Sequence, residues 1–221
     1  MSEFFPSDHS RMSLLAAQRR VSKRAIVEDS FGEIQVIAGV DQAFMDDRII
    51  SGIVLLRWNS FDVMELTHSI EPVHFPYITT YLSFREGPAI VSAFKKLRTP
   101  PDILMVDGAG INHPRRAGIA THIGVALDIP TIGITKRILC GSGEEPSNVG
   151  EAVPLLYKSS QIGWLLKSNK RSRAIIVAPG HKVSLNSSLS IVNACLRGHK
   201  LPEPLRLAHK FVNEIKNIEL S

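Results

Sequence analysis

The chain has very little cysteine: Cys140 and Cys195 are the only two among 221 residues. Two thiols are too few for a disulfide scaffold or a thiolate metal site, so they are read as packing residues. Long apolar runs are also missing. Stretches such as Ile49–Leu56 are broken by charge well short of the ~20 residues a membrane helix needs. The first residues carry Glu3, Asp8, Arg11, Arg19 and Arg20 without an uninterrupted apolar core. No secretory signal is visible there, so a reducing, cytoplasmic location without membrane attachment is expected. There is no repeat, low-complexity tract or long linker, and 44% hydrophobic with 21% charged residues excludes extensive disorder and collagen. A single domain over 1–221 is expected, burying roughly 70% of the surface its extended form exposes.

What is present is an excess of positive charge. Lys and Arg number 26 against 21 Asp and Glu, a formal net charge of +5. With a sequence pI near 9.4, this tilts expectation toward polyanionic partners.

Apolar spacing at Leu14, Ala17, Val21 and Ala25 predicts a helix over 13–29, ended by Phe31-Gly32. Strands are expected at Val36–Val40, Ile49–Trp58 and Phe61–Ile70. The short links Asp46-Asp47 and Asn59-Ser60 make these an antiparallel set. The pattern then alternates: a helix through Ile90, Val91, Phe94 and Leu97 with Pro88 near its start, a buried strand Ile103–Val106, a helix opened by Pro114, and a strand Thr131–Thr135. Such alternation implies parallel pairing through right-handed crossovers. Strands within Val149–Lys167 and at Ala174–Ala178 follow. A helix stopped by Gly198 and a terminal helix opened by Pro204 end the chain. The fold class is α/β, three antiparallel strands followed by parallel ones, flanked by helices.

Asp41 is expected directly after the first strand and Asp107 directly after the fourth. Where such strands are parallel neighbours, the two carboxylates meet at one sheet edge. Close carboxylates repel, and a shared proton or a divalent cation relieves them. Oxygen-only ligands select Mg²⁺ or Mn²⁺ over zinc. The alternative, that each Asp only starts a turn, stays open on spacing alone. Glu86, before Gly87-Pro88, is either a helix cap or a third acid.

Asp107 also opens the stretch DGAGINHPRRAG over 107–118. Gly108 and Gly110 permit close approach to a ligand. His113, Arg115 and Arg116 cluster where Pro114 is expected to start a helix whose free amides attract phosphate; a solvated basic turn is the alternative. Lys136, after the fifth strand, reaches the same edge, either to neutralise charge on a phosphate or as a capping cation. Helix geometry alone reads His209 as a partly buried core residue, and His122 as core. Lys167, Lys170, Arg171 and Arg173 read as a solvated turn between strands, with contact to a nucleic-acid backbone as the minor alternative.

With these residues assembled, the sequence resembles the endonuclease V family of the ribonuclease H-like superfamily. The blocks that carry the likeness are IAGVD (Ile37–Asp41), FREGP (Phe84–Pro88), PDILMVDGAGINHPRRAG (Pro101–Gly118), PTIGITK (Pro130–Lys136), PGHKVS (Pro179–Ser184) and LPEPLRLAH (Leu201–His209). The resemblance implies a Mg²⁺-dependent endonuclease, with Mn²⁺ able to substitute, that acts as a monomer on DNA containing deoxyinosine. Such an enzyme cuts the second phosphodiester bond 3′ to the lesion and so starts repair of deaminated adenine. The alternatives are a ribonuclease for inosine-containing RNA and a non-catalytic nucleic-acid-binding module of the same fold. By position, Asp41 and Asp107 match the primary metal ligands and Glu86 the third acid. Lys136 matches the lysine near the scissile phosphate, and His209 a residue near the metal. Leu82, Gly108 and Gly110 match the base pocket, with His113 and Arg115 beside it. Tyr77 stands in the family's wedge, Pro76-Tyr77-Ile78, but Thr79-Thr80 replaces the usual Pro-Gly, so a less rigid loop is expected.

Overall fold

The computed structural model describes residues 2–220. Strands β1 (Val36–Met45), β2 (Arg48–Arg57) and β3 (Val63–Pro72) form the expected antiparallel meander. Helix α2 (Leu82–Phe94) leads to β4 (Ile103–Asp107), and α3 (Ile119–Leu127) leads to β5 (Thr131–Thr135). β4 pairs parallel with β1, and β5 parallel with β4. The sheet then reverses: β8 (Ile175–His181) is antiparallel to β5, and the hairpin of β6 (Ala152–Tyr157) and β7 (Ser160–Leu166) completes it. The strand order is β3-β2-β1-β4-β5-β8-β7-β6.

The central strands are apolar on both faces because helices cover both. Ala38, Val40, Leu104 and Val106 pack with Ile90, Val91, Ile119 and Ile123 of α2 and α3. The alternate residues Ile37, Ile103 and Met105 pack on the opposite side with Val192 of α4 (Leu185–Ala194) and with Leu205 and Ala208 of α5 (Glu203–Glu219). Each fully buried Ile or Leu of this kind contributes about 1.5–3 kcal/mol. Helix α1 (Arg11–Arg24) lies against α3. No helix among the described residues is long and apolar enough to cross a membrane.

Several boundaries differ from the expected ones. β1 runs on to Met45 because β2 continues to pair with it there, so Asp41 stands inside a strand rather than after it. α1 stops at Arg24 instead of reaching residue 29. The chain beyond it is strapped to β8: the Ile26 N–H donates to His181 Nδ1, and the Lys182 N–H to the Ile26 carbonyl. α2 begins at Leu82, so Pro88 lies inside the helix and Glu86 in its second turn, not at its start. α3 begins at Ile119, because residues 113–118 form a turn with Arg116 at φ 51° and Pro114 opens nothing. In β3 the residues turned inward are Thr67 and Ser69, whose hydroxyls donate to the Ala93 and Ala89 carbonyls of α2, while Met64 and Leu66 are exposed.

Candidate active site

The parallel register pairs Val40 with Val106. The next residues, Asp41 and Asp107, therefore stand side by side on strands about 4.8 Å apart, on the face that α5 covers. Glu86 comes to the same place from α2. Asp41 and Glu86 are buried, and both line one cavity of ≈ 540 Å³ with Asp107 and Lys136. Lys136 Nζ donates to Asp107 Oδ2 at 2.6 Å, and His209 Nδ1 lies 2.7 Å from Asp41 Oδ2. His209 is exposed on α5, with a side chain 55% accessible, so it is not the core residue that helix spacing predicts. Its reach to Asp41 depends on Gly39: a Cβ there would collide with the Pro204 carbonyl, so only glycine lets the start of α5 rest on β1.

The electrostatics follow from burial and like charge. Burial, then the charges of Asp107 and Asp41, push the Glu86 carboxyl up to about 7. Burial and Asp107 raise Asp41 as well. Burial works against the Lys136 ammonium, yet the Asp107 carboxylate more than offsets this and raises its pKa. Among the described residues no three His, Cys, Asp or Glu side chains stand close enough to clasp an ion as they are. Lys136 and His209 hold two of the acids instead. The donor chemistry fits a hard divalent cation all the same. The acids offer only oxygen, and the mutual repulsion that raises Glu86 is what a cation in the cavity relieves.

The other end of the cavity is built around Tyr77, Leu82, Gly108 and Ile119. Neither α2 nor α3 has a side-chain cap at its N-terminus, so their first amides are available to an acceptor. Tyr77 is exposed at 68%, free to stack on something from outside. The loop after it is held by a clamp. Thr80 adopts φ 75°, a conformation glycine usually supplies. Its carbonyl accepts from Gln18 Nε2 at 2.6 Å and Arg115 Nη2 at 3.1 Å, and its Oγ1 from Arg115 Nη2 at 2.7 Å. Arg115 Nε is fixed in turn on Gln18 Oε1 at 2.5 Å. His113 Nε2 lies 3.0 Å from the same carbonyl while its Nδ1 accepts the Arg115 N–H. That pair of bonds suits a neutral ring protonated at Nε2, consistent with burial lowering His113 to about 4. The wedge loop is therefore tied by side chains where Pro and Gly are absent.

Of the residues expected at the site, Asp41, Glu86, Asp107, Lys136, Tyr77, Leu82, Gly108 and His113 line the cavity. Gly110, Arg115 and His209 do not, although His209 reaches Asp41. The space over Gly110 is taken by the Pro179 carbonyl, and Arg115 points into the Thr80 clamp. Sequence reasoning missed Gln18 and Gln42: the first acts across 62 positions of chain, and the second lines the cavity beside Asp41. Gly39, within IAGVD, carried a readable signal for close helix approach.

A family model described as endonuclease V matches residues 18–210. An endonuclease V of Rippkaea orientalis is 41% identical over 217 residues, spanning 97% of this chain and 95% of that protein. The crystal structure of the Streptomyces avermitilis endonuclease V superposes with TM-score 0.90 at 29% identity, covering 98% of this chain and 96% of that one. A Ciona intestinalis endonuclease V, in complex with a DNA containing an inosine followed by a ribo-adenosine, shares the fold at 21% identity with TM-score 0.84, covering 96% and 98%.

Proposed function

From the premise that this chain belongs to the endonuclease V family, we propose that it is a metal-dependent endonuclease specific for deoxyinosine. It would extrude the hypoxanthine base and hydrolyse the second phosphodiester bond on the 3′ side, initiating repair of deaminated adenine. The observation that carries this reading is the convergence of Asp41, Asp107 and Glu86 from β1, β4 and α2, with Lys136 on Asp107 at 2.6 Å.

Asp41, Asp107 and Glu86 would hold Mg²⁺, or Mn²⁺ in its place. When bound, such an ion supplies a Lewis acid and a water of lowered pKa beside the phosphorus. Burial and the charges of Asp107 and Asp41 keep Glu86 partly protonated in the free protein; a bound cation would favour its ionised form. Lys136, half-exposed and paired with Asp107, would turn to the leaving 3′ oxygen as charge grows there. His209 fixes the orientation of Asp41.

Base recognition would fall to the far end of the cavity. Hypoxanthine presents a carbonyl beside an N–H, groups that main-chain amides and carbonyls can read. The uncapped first amides at Leu82 and Ile119 would be the donors to that carbonyl; the Gly108 N–H is already taken by the Ile134 carbonyl, and Ile119 fills the space over its Cα. Tyr77, on the loop held by Arg115 and Gln18, would fill the gap left by the flipped base, a step costing a few kcal/mol.

The test is nicking of a duplex with a single deoxyinosine in Mg²⁺, with Asp41→Ala and Asp107→Ala as controls. Wild type is expected to cut one strand and both variants to be silent. A wild type that cuts under no divalent metal would leave only a binding module of this fold. Faster cutting of inosine-bearing RNA than DNA would reassign the substrate.

A further inference from the structure

The loop before β8 is basic, with Lys170, Arg171 and Arg173, and the cavity just described makes no use of it. Topology nevertheless brings it to the same edge of the sheet. Asp107 and Lys136 stand at the C-terminal ends of β4 and β5, and Asp41 stands where β1 ceases to pair with β4. β8 is antiparallel to β5, pairing Thr135 with Ile176, so its N-terminal end and the loop before it lie at that edge too. A second cleft, of ≈ 970 Å³, opens there and shares Lys136, Arg137 and Ile138 with the catalytic cavity. Its wall carries Arg171, Arg173 and Lys200.

These cations outnumber the acids of the cleft. Among the described residues the side chains of Arg137, Arg171, Arg173 and Lys200 have no hydrogen-bond or ion-pair partner. The one acid on the wall, Glu145, accepts the Ala174 N–H at 2.6 Å and sets a single negative charge against Lys136, Arg137, Arg171, Arg173 and Lys200. The basic loop is also held in place. Ser168 Oγ donates to the Lys200 carbonyl at 2.6 Å and Asn169 Nδ2 to the Gly198 carbonyl at 2.7 Å, tying it to the loop before α5.

Direction follows from the order of parts along the surface. Lys136, which holds Asp107 at 2.6 Å, lines both cavities together with Arg137 and Ile138, so the second cleft begins beside the acids. With cleavage on the 3′ side of the base, the strand passes the acids and continues into that cleft. We propose that the groove of Arg137, Arg171, Arg173 and Lys200 is a binding track for the sugar–phosphate backbone on the 3′ side of the scissile bond. It rests on the proposed function for its polarity, while the charge and continuity of the groove are independent of it.

The experiment measures binding of single-stranded deoxyinosine oligonucleotides in EDTA, where nothing is cut. The 3′ flank is about 2 or about 12 nucleotides long at constant 5′ flank, and the reverse set varies the 5′ flank. Arg171→Gln/Arg173→Gln is expected to bind the long 3′ flank at least tenfold more weakly near 0.1 M salt. The slope of log K against log[salt] should fall by about 1.4, two contacts at about 0.7 each. The same variant should lose most of the benefit of the longer 3′ flank and keep the benefit of the longer 5′ flank. Arg171→Lys/Arg173→Lys should retain the slope. A control losing two charges elsewhere, Lys23→Gln/Lys216→Gln, should not change the flank dependence. An unchanged 3′-flank effect in the Gln pair, or an equal loss in the control, overturns the track. Loss of the 5′-flank effect instead reverses the polarity and refutes it as stated. Nicking in Mg²⁺ is scored separately: a wild type that binds through the groove and cuts nothing refutes the proposed function and leaves the groove standing.

Discussion

Glu86→Gln tests the acid cluster without any substrate. In the folded protein the Glu86 carboxyl has a pKa of about 7 against an ordinary value of 4.5, because it is buried and faces the charges of Asp107 and Asp41. The folded state therefore binds this proton more tightly than the unfolded chain. Its stabilising contribution is complete below pH 4.5 and is lost as pH rises through 7. At about 1.4 kcal/mol per pH unit, the loss comes to about 3 kcal/mol. His113 and His122 titrate with the opposite sign, since burial holds both near 4, below the ordinary 6.5, and their contribution is lost as pH falls. Both histidines are common to the two proteins, so the difference between wild type and Glu86→Gln isolates the acid. Thermal unfolding in EDTA at pH 5 and pH 8 is the assay. Wild type should lose about 6–12 °C relative to the variant over that interval, at about 2–4 °C per kcal/mol for a chain of this size. Saturating Mg²⁺ at pH 8 should restore stability to wild type and less to the variant. Parallel pH profiles for the two proteins would show that Glu86 does not share the field of the two aspartates, and the site would lose its third acid.

Other substitutions probe the remaining parts. Lys136→Ala is expected to slow nicking about 10²-fold or more while binding to deoxyinosine DNA in EDTA changes little, a split read by single-turnover rates and titration. Gly39→Ala forces α5 away from β1, costing about 1–3 kcal/mol; unfolding should report the loss of stability and nicking the displaced His209. Thr80→Gly relieves a β-branched residue at φ 75° but deletes the Oγ1 that accepts from Arg115 and loosens the unfolded chain, so Tm should shift by less than about 2 °C while residues 76–81 exchange hydrogen faster. Arg115→Ala removes the donor to Thr80 Oγ1 and should raise KM for the lesion more than it lowers kcat, with faster hydrogen exchange over residues 76–81.

The aspartate pair was legible in the sequence because each follows a short apolar burst, and parallel strands in register bring such followers together. The parallel pairing of β4 and β5 was legible from the alternation of strand and helix. Glu86 was found, but its helix was misplaced: Pro88 reads as a helix start by local rules. In the fold, packing of Ile90 and Val91 under the sheet outweighs the hydrogen bond that Pro88 denies the Phe84 carbonyl. His209 escaped helix periodicity because its partner lies across 168 positions of chain, and only the Gly39 contact brings α5 close enough.

The wedge loop and the basic loop show the limit most clearly. Replacing Pro-Gly by Thr79-Thr80 reads locally as a gain in freedom, since proline and glycine set turn geometry through the backbone alone. Here the geometry is set from outside, by Arg115, Gln18 and His113 converging on one carbonyl, and no local rule contains that information. The cluster at Arg171 and Arg173 is the converse case. As a string of cations it reads as solvated surface, and nothing within ten residues of it says otherwise. What turns it toward the catalytic edge is the direction of β8, fixed by its antiparallel pairing with β5. Were β8 parallel to β5, the same residues would open on the opposite edge of the sheet, far from Asp41 and Asp107.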